Sequence, residues 1–193
     1  CYTAHVIPTP HGAVTWAGTR EYMGSGGRGL WLFERQAGWK ELAKPGTVPG
    51  CNVDTSCSCY DSKRDRILLM PGGKDGGTIY TYGMLDGASG KLTPANPGFG
   101  KVSRKESVYV EHCDWVLLLY TLERDGKAHH VAYDCEKNQW MLFDAGPLTA
   151  KMPSPGRGLL YDAKRKLVYL MTEDGDVFVL RIDPAGVKSV DKE

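Results

Sequence analysis

Five histidines and six cysteines are the side chains in this sequence most able to ligate a metal or act as nucleophiles. Metal ligation requires several such groups to converge on one face or at one end of neighbouring elements. His129 and His130 are adjacent on a predicted strand and therefore point to opposite faces, so they cannot hold one ion together. His5 and His11 flank a proline-containing turn. The histidine pattern therefore predicts structural roles and no metal site.

The cysteines occupy positions 1, 51, 57, 59, 113 and 135. An even number suits a disulfide framework in an oxidising compartment, which predicts an extracytoplasmic protein, either periplasmic or secreted. The sequence has no Cys-x-x-Cys pair, and Cys57-Ser58-Cys59 lacks the spacing of a zinc site. Structural disulfides and buried thiols both remain as interpretations. Cys1 is compatible with a lipidated or a processed first residue, and we favour processing.

Three further patterns share only the composition of functional sites. The glycine-rich segment 24–29 follows a strand pattern, but no helix pattern comes after it to bind a phosphate. The Asp-Gly turns at 125–126 and 174–175 lack the loop of a calcium site. No serine stands in a Gly-x-Ser-x-Gly context, and the sequence singles out no carboxylate pair for glycoside cleavage. We therefore assign no catalytic residue, no metal and no cofactor.

Length and charge narrow the class of protein. The chain has 193 residues, and its 24 basic and 23 acidic side chains leave a net charge of +1. This balance argues against nucleic-acid binding, which usually shows a basic excess. No apolar run approaches the roughly 18 residues of a membrane span. The 24 glycines exceed the usual share of ~7% and indicate many turns.

An internal repeat accounts for these turns. The segment YDSKRDRILLM, which begins at Tyr60, recurs as YDAKRKLVYLM from Tyr161, with six of eleven positions identical. Asp75-Gly76 recurs as Asp174-Gly175, and Trp39 recurs as Trp140. The segment YVEHCDWVLLL from Tyr109 lies halfway between the first pair. Because segments ending in Pro-Gly divide the chain at the same intervals, the sequence predicts about four units of some 50 residues.

Each unit has the pattern of four short strands. Polar, turn-prone segments separate the predicted strands of the third unit, which are Ser107–Val110, Trp115–Thr121, Ala128–Tyr133 and Gln139–Phe143. Helical periodicity is absent from the sequence. A repeated four-stranded antiparallel unit is the blade of a β-propeller, so we predict an all-β propeller with blades of approximately 1–50, 51–104, 105–155 and 156–193. The alternatives are a four-bladed propeller and part of a larger ring completed by further sequence or another chain.

The block YDSKRDRILLMPGG, the aromatic strand TIYTY and the later tryptophan strand resemble kelch-type propeller repeats of the galactose-oxidase-like class. The resemblance covers the whole chain but rests on loose motifs. It departs from the family in having the Gly-Gly pair only at Gly72-Gly73. The copper site of the oxidase requires tyrosine and histidine ligands with a Cys–Tyr crosslink, and no set of positions here matches it. The resemblance therefore implies a fold and not an activity.

The predicted strand order suggests one disulfide. Cys113 precedes the second strand of the third unit, and Cys135 follows its third strand. Antiparallel neighbours place these positions at the same edge of the blade, where a bridge is feasible. Cys51 paired with Cys57 or Cys59 is a weaker alternative.

Propellers usually bind through the end formed by the loops between second and third strands. Those loops and their flanks contain our candidate binding residues, which are Arg20, Tyr22, Arg28, Lys74 and Arg124. The favoured function is a non-catalytic binding or assembly propeller acting outside the cytoplasm. The alternative is a galactose-oxidase-like copper enzyme or a carbohydrate-active propeller enzyme. Expected partners are another protein, further blades that complete a ring, or a second copy of the chain, since an open ring exposes two apolar blade faces.

Overall fold

The computed structural model describes residues 5–18, 28–48, 57–70, 77–95, 107–124, 127–144, 158–171 and 175–185. All regular structure in these ranges is β-strand, and no described segment forms a helix with the length and apolarity needed to cross a membrane. The strands form four separate antiparallel sheets in chain order. The predicted all-β propeller fold is therefore confirmed.

Each sheet is a meander in which strands that are consecutive in sequence are hydrogen-bonded neighbours. Blade 1 contains β1 (His5–Thr9), β2 (Gly12–Gly18), β3 (Arg28–Glu34) and β4 (Gly38–Val48). Blade 2 contains β5 (Cys57–Asp61), β6 (Arg66–Met70), β7 (Ile79–Gly83) and β8 (Ser89–Leu92). Blade 3 contains β9 (Ser107–Val110), β10 (Trp115–Arg124), β11 (Lys127–Asp134) and β12 (Gln139–Asp144). Blade 4 contains β13 (Gly158–Asp162), β14 (Leu167–Met171) and β15 (Val177–Leu180) among its described residues.

The first strands of consecutive blades lie side by side, with β1 next to β5, β5 next to β9 and β9 next to β13. This places the first strand of every blade innermost, as the propeller arrangement requires. In the described part of the chain, β13 and β1 do not form a fourth pair of this kind. Within the described residues, the four blades are thus linked at three blade-to-blade interfaces.

Apolar side chains fill each of these interfaces. Alternate residues of a strand point to opposite faces, so the central strands of a blade need apolar residues at every position to pack on both neighbours. The run Ile67-Leu68-Leu69 on β6 meets this need and is almost completely buried. Ile67 and Leu69 pack toward blade 1, whereas Leu68 packs toward blade 3. A third cluster joins blades 3 and 4.

The repeated tryptophan behaves differently in the two blades that contain it. On β12, Trp140 is buried, and its indole N–H donates a hydrogen bond of 2.9 Å to the carbonyl of Gly77 in blade 2. On β4 of blade 1, Trp39 is 62% exposed and contacts the ring of Phe33, with ring centroids 5.1 Å apart. Trp140 therefore covers the interface between blades 2 and 3, whereas Trp39 lies on the exposed outer face of blade 1.

The predicted disulfide between Cys113 and Cys135 is not formed, because both side chains are free thiols. The two cysteines lie near the same edge of blade 3, but they face opposite neighbours. Cys135 belongs to the apolar cluster shared with blade 2, whereas Cys113 packs against the cluster shared with blade 4. Cys59 is also a free buried thiol, so it does not bridge to Cys51. Cys51 itself lies outside the described residues.

Candidate functional site: polar contacts between the first turns

The turn between the first and second strands of blades 2, 3 and 4 is stabilised by its own side chains. Asp61 accepts a hydrogen bond from the backbone N–H of Arg64, and Asp162 does the same for Arg165, with distances of 3.3 and 2.9 Å. Aspartate side chains commonly accept hydrogen bonds from nearby turn amides in this way. The last turn residue has a positive φ in all three blades, at Asp65, Asp114 and Lys166.

A tyrosine on the first strand fixes two of these turns from within the blade. The Tyr60 hydroxyl donates to Oδ1 of Asp65 at 2.5 Å, and the Tyr109 hydroxyl donates to Oδ1 of Asp114 at 2.6 Å. Asp tolerates the left-handed backbone conformation better than most residues. The aspartate thus adopts the positive-φ conformation that ends the turn, and its carboxylate accepts the tyrosine hydrogen bond.

A side chain from each preceding blade then reaches the turn of the next one. Between blades 2 and 3, Arg64 donates from both terminal nitrogens to the two carboxylate oxygens of Asp114, at 2.8 and 2.7 Å. Arg64 also contacts Asp61, which is fully buried and receives a second charged hydrogen bond of 2.9 Å from Arg66. A guanidinium fork paired with a carboxylate is the strongest common polar contact in proteins.

The other two interfaces use histidine. His11 in the first turn of blade 1 lies 2.7 Å from Asp65 in blade 2, measured from Nε2 to Oδ1. His112 in the first turn of blade 3 lies 2.8 Å from the Tyr161 hydroxyl in blade 4 and stacks on the same ring. These three contacts, with the tyrosines that support them, are called here the turn chain. It runs in one direction, because each blade presents its first turn to the tyrosine or aspartate of the next.

In this site the pKa values of Asp65 and Asp114 are lowered, and the pKa values of Tyr60 and Tyr109 are raised. Burial raises the pKa of the Asp114 carboxyl, but the hydrogen bonds from Arg64 and Tyr109 outweigh it and hold that pKa below its usual value. The hydrogen bond from Tyr60 is the main cause of the lowered pKa of Asp65. Burial raises the pKa of Tyr60 to about 12 and also raises that of Tyr109. The aspartates are therefore ionised and the tyrosines neutral at physiological pH, which is the state that maintains the contacts.

A group of buried thiols lies beside the turn chain. Cys57, Cys59 and Cys135 are part of the apolar cluster between blades 2 and 3. Burial raises the pKa of Cys135 to about 12, and burial also raises the pKa of Cys59 well above its ordinary value. A thiol with a raised pKa is a poor nucleophile. Among the described residues, no three His, Cys, Asp or Glu side chains form a cluster able to hold a metal ion.

The predicted binding residues fall mainly outside this site. Arg20, Tyr22 and Lys74 lie outside the described residues. Arg28 begins β3, where its backbone pairs with Gly18 and Val48, and Arg124 ends β10 opposite Lys127. The side chains of Arg28 and Arg124 are likewise outside the described part of the structure. These five residues remain predictions. His130 is buried within blade 3.

Two apolar sheet faces stand at the ends of the row of blades. The cross-strand pairing places Leu160, Tyr169 and Val179 in one line across the outer face of blade 4, and Leu160 and Val179 are 65% and 49% exposed. Met171 and Val177 lie on the same face and are also exposed. The outer face of blade 1 exposes Val6, Phe33 and Trp39. Contiguous exposed apolar surface of this kind commonly marks an interaction site.

Comparison with known proteins supports the fold and assigns no family. No protein-family profile matches the sequence, and no curated protein matches it. Among solved structures, the chain is similar to TolB from Acinetobacter baumannii, with a TM-score of 0.57 and 12% sequence identity. The match covers 95% of this chain but 41% of the TolB chain. The similarity is one of fold alone, since a propeller can host unrelated functions.

Proposed function

We propose that this chain is a non-catalytic binding and assembly propeller that interacts with protein through the exposed faces of its first and last blades. The observation that carries the proposal is the pair of apolar faces described above. Each is the kind of surface that is buried at the three internal interfaces. Half-exposed Val, Leu and Met side chains would each contribute roughly 1–2 kcal/mol on being covered, because full burial is worth about 1.5–3 kcal/mol.

The turn chain supports this proposal because it fixes the positions of the blades relative to one another. Its carboxylates are already bound by guanidinium, histidine and tyrosine groups, as in Asp114 with Arg64 and Tyr109. Such groups hold blades in register. Rigid blades with a fixed spacing provide a stable frame for presenting a binding face.

The kelch-type character of the repeats and an extracytoplasmic location belong to the same proposal. The first is supported by the Tyr-Asp-x-Lys-Arg block at Tyr60 and Tyr161. The second is supported only by the even number of cysteines, and because Cys59, Cys113 and Cys135 are free thiols, any disulfide must involve the other cysteines. Measuring free thiols by mass spectrometry in protein isolated from its native source tests the location, because persistent disulfides are expected only in an oxidising compartment.

The faces are tested with charge substitutions that leave the core alone. The double variant Leu160→Lys/Val179→Lys places two cations on the outer face of blade 4, and Gln36→Lys in an exposed turn of blade 1 is the control. We expect the parent and the control to bind a hydrophobic dye such as ANS and to associate with increasing concentration in sedimentation velocity. We expect the double variant to lose the part of the dye binding that belongs to blade 4, while the unchanged face of blade 1 keeps its own part. A parent chain that stays monomeric and binds no dye would contradict the proposed function.

A further inference from the structure

The outer face of blade 4 corresponds residue by residue to a face that is buried in blade 2. The repeat aligns Leu160 with Cys59 and Met171 with Met70, and in both blades these residues lie on the face that points away from the preceding blade. In blade 2, Cys59 and Met70 are buried against blade 3. In blade 4, Leu160 and Met171 are exposed. The sequence of blade 4 therefore maintains an apolar surface suited to another blade.

The first turn of blade 4 also preserves the charged group that blade 2 uses to hold its neighbour. The repeat aligns Arg165 with Arg64, and both arginines donate to the aspartate three residues before them. Arg64 then continues across the interface to Asp114. Arg165 bonds Asp162 at 2.7 Å, and its side chain is 66% exposed. Arg165 is thus placed to extend the turn chain to a carboxylate beyond blade 4.

Blade 1 of this chain does not provide that carboxylate. Residues 5–18, which form its first two strands and their turn, contain no Asp or Glu. The turn itself is Thr9-Pro10-His11-Gly12, in which the Thr9 hydroxyl donates to the carbonyl of Gly12. His11 is directed to Asp65 of blade 2. Neither closure of the chain on itself nor docking of a second copy would therefore give Arg165 an acidic partner in the first turn of blade 1.

We propose that the outer face of blade 4 binds a propeller blade belonging to a different polypeptide segment, one whose apolar face covers Leu160 and Val179 and whose first turn presents a carboxylate to Arg165. This inference rests on the proposed function, because it specifies the partner of one of the two faces. The expected partner turn resembles that of blade 3, where a tyrosine holds an aspartate in a positive-φ position. The interface is a continuation of the three that already exist in the chain.

The proposal is tested by giving the intact chain a fifth blade. A second copy of residues 105–155, which carries Tyr109 and Asp114, is joined after residue 190 of the full chain. The matched control carries a second copy of residues 1–50, which has an apolar face without the acidic turn. We expect the blade 3 copy to remove most ANS binding at blade 4 and to raise the urea midpoint, and we expect the blade 1 copy to do less of both.

Charge reversal distinguishes docking through the Arg165 contact from non-specific hydrophobic association. In the chain extended with blade 3, Arg165→Asp is expected to restore dye binding, and the reversed pair, with Asp114→Arg in the added copy, is expected to abolish it again. In the unextended parent, Arg165→Asp is expected to leave dye binding unchanged. Rescue by the reversed pair requires direct contact between the two positions.

Several results would overturn the proposal. Equal protection by both added blades, no effect of Arg165→Asp, or failure of the chain extended with blade 3 to fold would each refute the acidic-turn partner. A stable parent dimer that is insensitive to Arg165→Asp would identify a second copy as the occupant instead. In those cases dye binding and association by the parent would still support the proposed function, whereas their absence would refute that function itself.

Discussion

Replacement of Asp114 by asparagine is the most direct test of the turn chain. Asparagine has the same shape and also tolerates the positive φ of 59° at this position, so the change removes charge with little backbone strain. One of the two oxygens that Arg64 contacts becomes an amide nitrogen, which cannot accept a hydrogen bond. The variant therefore replaces a buried ion pair by a single hydrogen bond from Arg64 to the neutral asparagine oxygen, while Arg64 keeps its ion pair with Asp61.

The structure sets the size of the effect. The Asp114 side chain is 8% exposed and that of Arg64 is 31% exposed, so the carboxylate is shielded from water more than the guanidinium is. Breaking a buried pair costs about 3–5 kcal/mol, and we expect the lower end because Arg64 remains paired with Asp61. For a chain of this length a loss of about 3 kcal/mol lowers the melting temperature by roughly 6–12 °C.

The dependence on pH gives the prediction a second signature. Because the folded-state pKa of Asp114 lies below its unfolded value, its stabilisation is complete above the unfolded pKa of about 4. That stabilisation is lost as the pH falls through the folded-state pKa. The difference between parent and Asp114→Asn should therefore be constant from neutral pH down to about 4 and should shrink in more acidic solution.

Urea unfolding followed by circular dichroism at several pH values measures both signatures, with unchanged m-values as the check that the folded state is retained. The control is Asp162→Asn, which changes the aspartate at the start of the first turn of blade 4, where it pairs with the exposed Arg165. We expect the control to shift the midpoint far less. A variant as stable as the parent, or a deficit that does not shrink in acid, would refute the assignment of Asp114 as an ionised partner of Arg64.

Two further predictions follow from the same interface. Trp140→Phe removes the hydrogen bond to Gly77 and should lower the free energy of unfolding in urea by about 1 kcal/mol or more. Trp39→Phe on the exposed face should lower it much less. Equal losses for the two variants would contradict the difference in packing. Because burial raises the pKa of Cys135 to about 12 and raises that of Cys59, both thiols should react slowly with iodoacetamide at pH 8 and rapidly in urea. Fast labelling of the native protein at either position, located by peptide mass mapping, would show that the thiol is not buried.

Much of the fold could be predicted because the repeat and the strand patterns are local properties. The predicted strand Ser107–Val110 has the observed bounds, and the other three strands of blade 3 differ by one to three residues at their ends. The bonding of turn amides by Asp61 and Asp162 was predictable for the same reason, since an aspartate and its turn lie within four residues. Local chemistry repeats whenever the local sequence repeats.

The contacts between blades were not predicted, because they depend on which face of a blade a residue occupies. Cys113 and Cys135 were placed correctly at one edge, but position along a strand does not determine the face, and the two thiols point to different neighbours. Arg64 and Asp114 are 50 residues apart, and each looks in isolation like a solvated turn charge. One signal was available, since the half-repeat aligns Asp65 with Asp114 and so marks that position as one the repeat maintains.

The exceptions to the turn pattern show how the row of blades is organised. Blade 4 has Lys166 where blades 2 and 3 have an aspartate, and there His112 of blade 3 contacts the Tyr161 hydroxyl instead. On the side of blade 4 that faces blade 3, the contact therefore differs from the one between blades 2 and 3. On the side that faces away from blade 3, Arg165 is the same residue type as Arg64 in blade 2. The exposed Arg165 beside an exposed apolar face is the arrangement that the proposed contact beyond blade 4 requires.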